Sequence, residues 1–107
     1  MSLPTSLTLT AQLRTLAACG DFYTIVHRGD PDTGLVILKW RIRDILSLYT
    51  QERDFEDGVL KWRKQSDLLD ESSIDAYITR AVTRDPDVWV VEIETRENVF
   101  PLEGKII

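Results

Sequence analysis

The segment Leu35–Ile42 constrains the fold more than any other part of this chain, because its side chains alternate as those of a β-strand do. Its even-numbered positions are all apolar, and its odd-numbered positions change from apolar to basic at Lys39. Successive side chains of a strand point to opposite faces of a sheet. One face of this strand is therefore expected to be buried throughout, and the other only at its first half.

The remaining patterns complete a predicted order of α-β-β-β-β-α-β. Apolar residues at helical spacing predict one helix over about Thr8–Cys19 and a second, capped by Asp70 or Ser72, that ends near Thr83. Segments rich in β-branched and aromatic residues, or with alternating apolar and polar residues, predict strands. These segments are Phe22–His27, Leu35–Ile42, Ile45–Thr50, Val59–Gln65 and Val88–Thr95. Short connections favour antiparallel neighbours. We therefore predict an α+β fold: a mainly antiparallel sheet of four to five strands with two helices packed on one face.

Length and composition indicate one globular domain. The chain has 107 residues, a hydrophobic content of 43% and a net charge of −5, so we expect residues 1–107 to form a single domain. Residues from about 101 to 107 are expected to be a loosely ordered or docking tail. The single cysteine, Cys19, fits a small buried site and cannot form an internal disulfide. With no signal-like start and no membrane-length apolar run, we expect a cytoplasmic protein.

The tripeptide Asp-Pro-Asp occurs twice, and it opens a predicted strand each time. If those two strands are parallel neighbours, both turns lie at one edge of the sheet and their carboxylates converge. Such oxygens suit Mg²⁺ or Ca²⁺, and crowded carboxylates can form a general acid/base pair. The candidate metal ligands are Asp30, Asp32, Asp85 and Asp87, with His27, Arg28 and Arg84 beside them. Ordinary turn chemistry, with the arginines paired to the aspartates, is the favoured interpretation.

No catalytic residue and no cofactor are predicted. His27 is the only histidine, and no serine or cysteine accompanies it in a recognisable nucleophile arrangement. One cysteine and one histidine do not make a zinc site, and the chain has no glycine-rich phosphate loop. We therefore favour a protein that is not an enzyme.

A basic sheet face is predicted from two strands. Lys39, Arg41, Lys61 and Arg63 share one face by alternation, whereas Trp40 and Trp62 point to the other. A basic face can hold a phosphate backbone, but stacking recognition needs aromatic rings beside the charges. The acidic net charge also disfavours nucleic acid. We expect a solvated face neutralised by acidic residues such as Glu92 and Glu94, with weak nucleic-acid binding as a third hypothesis.

Two segments carry a resemblance to a known family. The first runs from Arg28 to Lys39, and the second comprises Asp75-Ala76-Tyr77-Ile78 and Arg84–Glu94. Together they resemble a family of small, mostly alphaproteobacterial proteins, domain of unknown function fourteen-ninety-one (DUF1491). The resemblance extends from the first helix to about Phe100. It implies a bacterial cytosolic protein and supplies no catalytic residues.

Apolar residues near both ends of the chain give the favoured functional hypothesis. A small domain seldom leaves such a set in solvent, so it closes the core, docks to a second copy or binds a partner. The candidate interaction residues are Val99, Phe100 and Leu102, with further apolar residues at Leu3, Leu7, Ile106 and Ile107. An open sheet edge offers a second route to association. We predict a noncatalytic protein-interaction module that binds an unidentified protein or itself, and the alternative is the carboxylate site.

Overall fold

The computed structural model describes residues 3–107, which form two helices and six strands. The helices are α1 (Thr5–Ala18) and α2 (Glu71–Arg84). The strands are β1 (Phe22–His27), β2 (Val36–Ile42), β3 (Ile45–Arg53), β4 (Leu60–Lys64), β5 (Trp89–Thr95) and β6 (Lys105–Ile106). No helix in this described part of the chain is long and apolar enough to cross a membrane.

The strands form one mixed sheet in the order β1-β5-β2-β3-β4-β6. β5 lies parallel to β2, and β6 lies parallel to β4, whereas the other neighbours are antiparallel. The predicted number of four to five strands is wrong, because the sheet has six. Antiparallel pairing predominates as predicted, at three of the five neighbouring pairs, but the sheet is mixed. Only short connections force antiparallel neighbours. The long connection through α2 carries the chain back across the sheet, so β5 enters between β1 and β2 in the direction of β2.

The helices pack on opposite faces, which corrects the expectation that both lie on one face. Leu9 and Leu13 of α1 pack against the even-numbered residues of β2, including Leu38. Ile74 of α2 packs against the other face, where Ile37 is buried. The first half of β2 is apolar on both sides because each side receives a helix.

The C-terminal segment completes the core on the α1 face. The ring of Phe100 lies 5.0 Å from that of Tyr49, 5.4 Å from that of Trp62 and 5.6 Å from that of Trp40, between ring centroids. These tilted and edge-on contacts are the arrangements that aromatic quadrupoles favour. Leu102 is buried in the same cluster. The Lys105–Ile106 strand then pairs with β4.

Candidate functional site

The two Asp-Pro-Asp turns lie side by side, because β2 and β5 are parallel neighbours. The Asp30 N–H donates a hydrogen bond of 2.9 Å to the Asp87 carbonyl oxygen. The Trp89 indole Nε1–H donates one of 2.7 Å to the Asp30 carbonyl oxygen. The juxtaposition that the sequence suggested is therefore present, and backbone and indole groups hold it together.

The carboxylates of these turns bond to their own loops. Oδ2 of Asp30 accepts from the backbone N–H of Thr33 at 2.7 Å and from its hydroxyl at 2.9 Å. These bonds lower the pKa of Asp30 below its ordinary value. Oδ1 of Asp85 accepts from the Asp87 N–H at 3.1 Å. Within residues 3–107, no three histidine, cysteine or acidic side chains are arranged to hold a metal ion.

The neighbours of the turns contact other groups. The Arg28 guanidinium lies 6.0 Å from the centroid of the Trp89 ring, a cation–π distance. Nδ1 of His27 lies 2.8 Å from the Val88 carbonyl oxygen and donates to it. Among the described residues, no ion pair joins Arg28 or Arg84 to an aspartate of these turns.

The same turns anchor α1 to the sheet, and we call residues 28–34 and 85–89 the Asp-Pro-Asp junction. The Thr5 N–H donates to the Asp32 carbonyl oxygen at 3.1 Å, and the Ser6 N–H donates to the Pro31 carbonyl oxygen at 2.9 Å. The junction thereby satisfies amides of the first helical turn, which have no partner within the helix. A Cβ at Gly29 or Gly34 would overlap the Asp87 carbonyl oxygen. Both glycines are therefore needed for close backbone approach.

All four cations of the predicted basic face are paired with carboxylates. The ion pairs are Lys39–Glu71 (2.7 Å), Lys39–Asp75 (2.8 Å), Arg41–Glu71 (3.2 Å), Lys61–Asp54 (2.5 Å), Lys61–Asp57 (2.9 Å) and Arg63–Glu52 (2.8 Å). The ion-pair partners come from α2 and from the β3–β4 hairpin. Glu92 and Glu94 lie opposite Lys39 and Arg41 on the neighbouring strand, as predicted, without forming an ion pair. Trp40 and Trp62 lie in the core on the opposite face.

Lys39 is the most buried of these cations. Its side chain is 7% exposed, beneath the first turns of α2. Burial disfavours the ammonium charge, but the hydrogen bonds to Asp75 and Glu71 outweigh it and raise the pKa of Lys39 above its ordinary value. The Lys39 charge therefore fixes α2 on the sheet and is not available to a phosphate backbone.

The predicted interaction residues divide between the core and the surface. Leu102 is buried, and Phe100 is half-buried among aromatic rings, so both close the core. Val99 is exposed. Cys19, which the sequence placed in a buried site, is also exposed, because it follows the last turn of α1.

The most exposed aromatic residue was not among the predicted site residues. Phe55 lies in the loop that joins β3 to β4, and it is fully exposed. We call residues 53–60 the Phe55 hairpin. Its only sequence signal is one aromatic residue among acidic residues in a polar turn, Asp54-Phe55-Glu56-Asp57.

The Phe55 hairpin is crossed by hydrogen bonds between its own polar groups. The Asp54 N–H donates to the Val59 carbonyl oxygen at 2.9 Å, and the Gly58 N–H donates to the Asp54 carbonyl oxygen at 2.8 Å. The Asp54 carboxylate accepts from the Glu56 N–H at 2.8 Å, and the Asp57 carboxylate accepts from the Val59 N–H at 3.0 Å.

Lys61 joins the two sides of the loop. Its ammonium group donates to the carboxylates of both Asp54 and Asp57. These hydrogen bonds lower the pKa of each aspartate below its ordinary value and raise the pKa of Lys61. The charged form of the loop is the bonded form, so the loop keeps its shape at neutral pH.

Two open grooves border the Phe55 hairpin. One, of about 740 Å³, has a mixed lining in which Leu3, Val59 and Leu60 lie beside Asp32 and Arg53. The other, of about 700 Å³, includes Leu35, Phe55 and Ile107. Two of the apolar terminal residues that the sequence singled out, Leu3 and Ile107, therefore lie beside this hairpin.

The fold and these surfaces define a small α+β domain with a mixed sheet and a helix on each face. The chain belongs to the DUF1491 family, described as protein of unknown function, whose model matches residues 3–103. The resemblance found in the sequence is thereby confirmed.

Solved structures of similar proteins have the same fold. The crystal structure of a DUF1491 family protein from Caulobacter crescentus CB15 has 31% identity and a TM-score of 0.87, covering 99% of this chain and 100% of that chain. An NMR structure of a DUF1491 family protein from the same organism has 32% identity and a TM-score of 0.87, covering 100% and 98%. A solution structure from A. tumefaciens has 26% identity and a TM-score of 0.76, covering 95% and 93%. Among curated proteins, none matches the chain.

Proposed function

We propose that this protein is a noncatalytic protein-interaction module and that the Phe55 hairpin is its main binding surface. The observation that supports this proposal is a fully exposed phenylalanine on a loop that its own hydrogen bonds hold in one shape. Large aromatic side chains that insert into a partner's pocket are common energetic centres of protein interfaces.

The energetics favour binding through a loop of this kind. Burying a phenylalanine side chain that starts fully exposed contributes about 1.5–3 kcal/mol. Ordering a flexible loop on binding opposes association. Because the bonds of Asp54, Asp57 and Lys61 already order this loop in the free protein, most of the gain from Phe55 remains available to the complex.

The charges around Phe55 indicate the chemistry of the partner. Asp54 and Glu56 flank Phe55 in sequence, and Asp57 follows. Lys61 pairs with Asp54 and Asp57, and the Arg53 guanidinium donates to the Gly58 carbonyl oxygen. With three carboxylates and two cations, residues 53–61 have a net charge of −1, and Glu56 is the hairpin carboxylate that has no ion pair within residues 3–107. A complementary partner presents an apolar pocket rimmed by lysine or arginine side chains, which also speeds association.

The other functional hypotheses have less support. The Asp30 and Asp85 carboxylates bond to amides of their own loops, and the four cations of the basic face are paired within the chain. We place the proposed module in the bacterial cytoplasm, where an exposed free thiol such as Cys19 is kept reduced.

The test compares partner capture by matched surface variants. Wild-type protein, Phe55→Ala and Leu69→Ala are used as bait in cytosol of the source cell, and bound proteins are quantified by mass spectrometry. Leu69 is the matched control, since it is an exposed apolar residue in the segment that follows β4, whereas the hairpin precedes that strand. We expect at least one protein to be retained by wild type and Leu69→Ala and lost from Phe55→Ala.

A second measurement identifies the contact. A photoreactive phenylalanine analogue at position 55 is expected to cross-link that same protein at an apolar pocket bordered by lysine or arginine. Equal retention by all three baits, or no protein that depends on Phe55, would contradict the proposal.

A further inference from the structure

The outer edge of β1 is the second surface that the fold leaves without a partner. β1 is the first strand of the sheet, and its inner side pairs with β5 from Phe22 to His27. Within residues 3–107, no strand pairs with its outer side. The backbone N–H and C=O groups along an edge form a template for another strand.

The β1 edge has few of the features that usually protect such edges. Its sequence, Phe22-Tyr23-Thr24-Ile25-Val26-His27, contains no lysine, acidic residue or proline. Phe22 is 68% exposed and Val26 52% exposed. One irregularity is present, a bulge between Ile25 and His27, which ends the regular pairing segment.

The opposite edge of the sheet shows the contrast. β6 contains two residues, Lys105 and Ile106, so it is short and carries a charge. Short and charged edges resist pairing with other chains. Of the two edges of the sheet, β1 is therefore the one that favours pairing with a strand of another molecule.

We infer that β1 pairs antiparallel with β1 of a second copy of this chain, about a two-fold axis at Thr24. In this register Tyr23 lies opposite Ile25 of the other copy within the regular segment, and Phe22 lies opposite Val26, the residue at the bulge. Each pair joins an aromatic to a β-branched side chain, and the central pair joins two threonines, combinations that stabilise antiparallel neighbours.

Charge complementarity at the ends of the strand favours a second copy over another extended peptide. Asp21 precedes β1, and Arg28 follows it. Antiparallel self-pairing brings the acidic end of each strand to the basic end of the other, and the two-fold axis produces this contact twice. The result is one continuous sheet across two molecules.

The first test measures mass in solution. Sedimentation equilibrium of wild type and Thr24→Lys, from micromolar to about millimolar protein, reports the monomer–dimer equilibrium. Thr24 is exposed, so a lysine there leaves the core intact and places a charge on the edge. We expect wild type to dimerise, Thr24→Lys to weaken dimerisation at least tenfold, and the control Leu69→Lys to behave as wild type.

The second test traps the contact and separates it from the Phe55 hairpin. In a Cys19→Ser background, Thr24→Cys is expected to form a disulfide-linked dimer on mild oxidation, because opposed residues in this register lie within disulfide reach. The control Leu69→Cys is expected to stay monomeric, and Phe55→Ala is expected to dimerise as wild type does. A wild type that stays monomeric at the highest concentration, a Thr24→Lys variant that dimerises normally, or no selective cross-link at position 24 would overturn the inference.

Discussion

The Asp-Pro-Asp junction and the Phe55 hairpin contain the same kind of turn hydrogen bond but differ in what the turn is bonded to. In each, an aspartate carboxylate accepts hydrogen bonds from amides two or three residues further along the chain. The junction is also bonded to α1 and β5, through the Thr5 and Trp89 donors. The hairpin tip is bonded only to itself and to the strands that carry it.

This difference separates a turn that holds elements of the fold together from a turn that exposes a side chain for binding. Loss of the junction disconnects a helix and two strands, so its residues matter for folding. Loss of the hairpin tip changes one surface, so its residues are free to serve binding. Four variants or titrations test this division, beginning with the one expected to have the largest effect.

Gly29→Ala is expected to be the most damaging substitution. Its Cβ would overlap the Asp87 carbonyl oxygen, which is fixed by the Asp30 N–H. Overpacking against fixed backbone costs about 3 kcal/mol of unfolding free energy. Gly58→Ala in the hairpin meets no atom within 4 Å and strains only a positive φ of 71°, so its cost is about 1 kcal/mol. Urea unfolding of both variants measures the difference, and equal losses would refute the division.

Trp89→Phe is expected to destabilise the protein by about 2 kcal/mol. It removes the indole donor to the Asp30 carbonyl oxygen and leaves that oxygen with only the longer bond of 3.2 Å from the Gly34 N–H. Arg28→Met removes only the cation–π contact with the same ring, for about 0.5 kcal/mol. Thermal unfolding of both variants provides the measurement. A Trp89→Phe variant as stable as wild type would show that the junction is not held by this bond.

Acid titration is expected to distinguish the hairpin from the junction, because Lys61 lowers the pKa of Asp54 and Asp57 but not that of Asp30. The pKa of Asp54, of Asp57 and of Asp30 is lowered in the folded protein, so each favours folding above the pKa of about 4 that an unfolded aspartate has. This contribution is lost as the pH falls through the lower folded-state pKa.

The NMR amide shifts of Glu56, Val59 and Thr33 follow these carboxylates, because each amide donates to one of them. In Lys61→Met, we expect the titration midpoints at Glu56 and Val59 to rise and that at Thr33 to stay unchanged. A midpoint that moves at Thr33, or does not move in the hairpin, would contradict the assignment of these shifts to Lys61.

Phe55→Ala is expected to have the smallest effect on stability. Its side chain is fully exposed, and surface substitutions of this kind change the unfolding free energy by less than about 0.5 kcal/mol. Phe100→Ala is the matched comparison, because that ring packs against three others, and it is expected to cost at least about 2 kcal/mol. Urea unfolding that shows a large loss for Phe55→Ala would place the ring in the core and remove the basis for binding.

Local elements could be predicted from the sequence because local patterns determine them. The sequence predicts β1 over Phe22–His27, as observed, and α2 begins after Asp70, one of the two residues, Asp70 and Ser72, that the sequence offers as its cap. The order of the strands could not be predicted, since the place of β5 depends on contacts between residues far apart in the chain, such as Ile25 with Val91. The apolar positions on both sides of β2 did contain a signal for a helix on each face.

The candidate sites were harder to predict because residue type does not specify exposure. Phe100 and Phe55 are both single aromatic residues in irregular segments, yet one packs in the core and the other is exposed. Lys39 likewise belongs to a charged pattern typical of a surface, and the carboxylates that bury it come from a helix more than 30 residues away in sequence. Only the tertiary fold distinguishes these cases.

The central position of β5 has a consequence for synthesis of the chain on the ribosome. β1 and β2 both leave the ribosome before β5, which must insert between them. At about 5–20 residues per second, several seconds pass between the emergence of β1 and that of β5. During this time both strands expose apolar side chains and unpaired amides. We therefore expect the nascent chain to expose surfaces that chaperones bind until β5 has emerged.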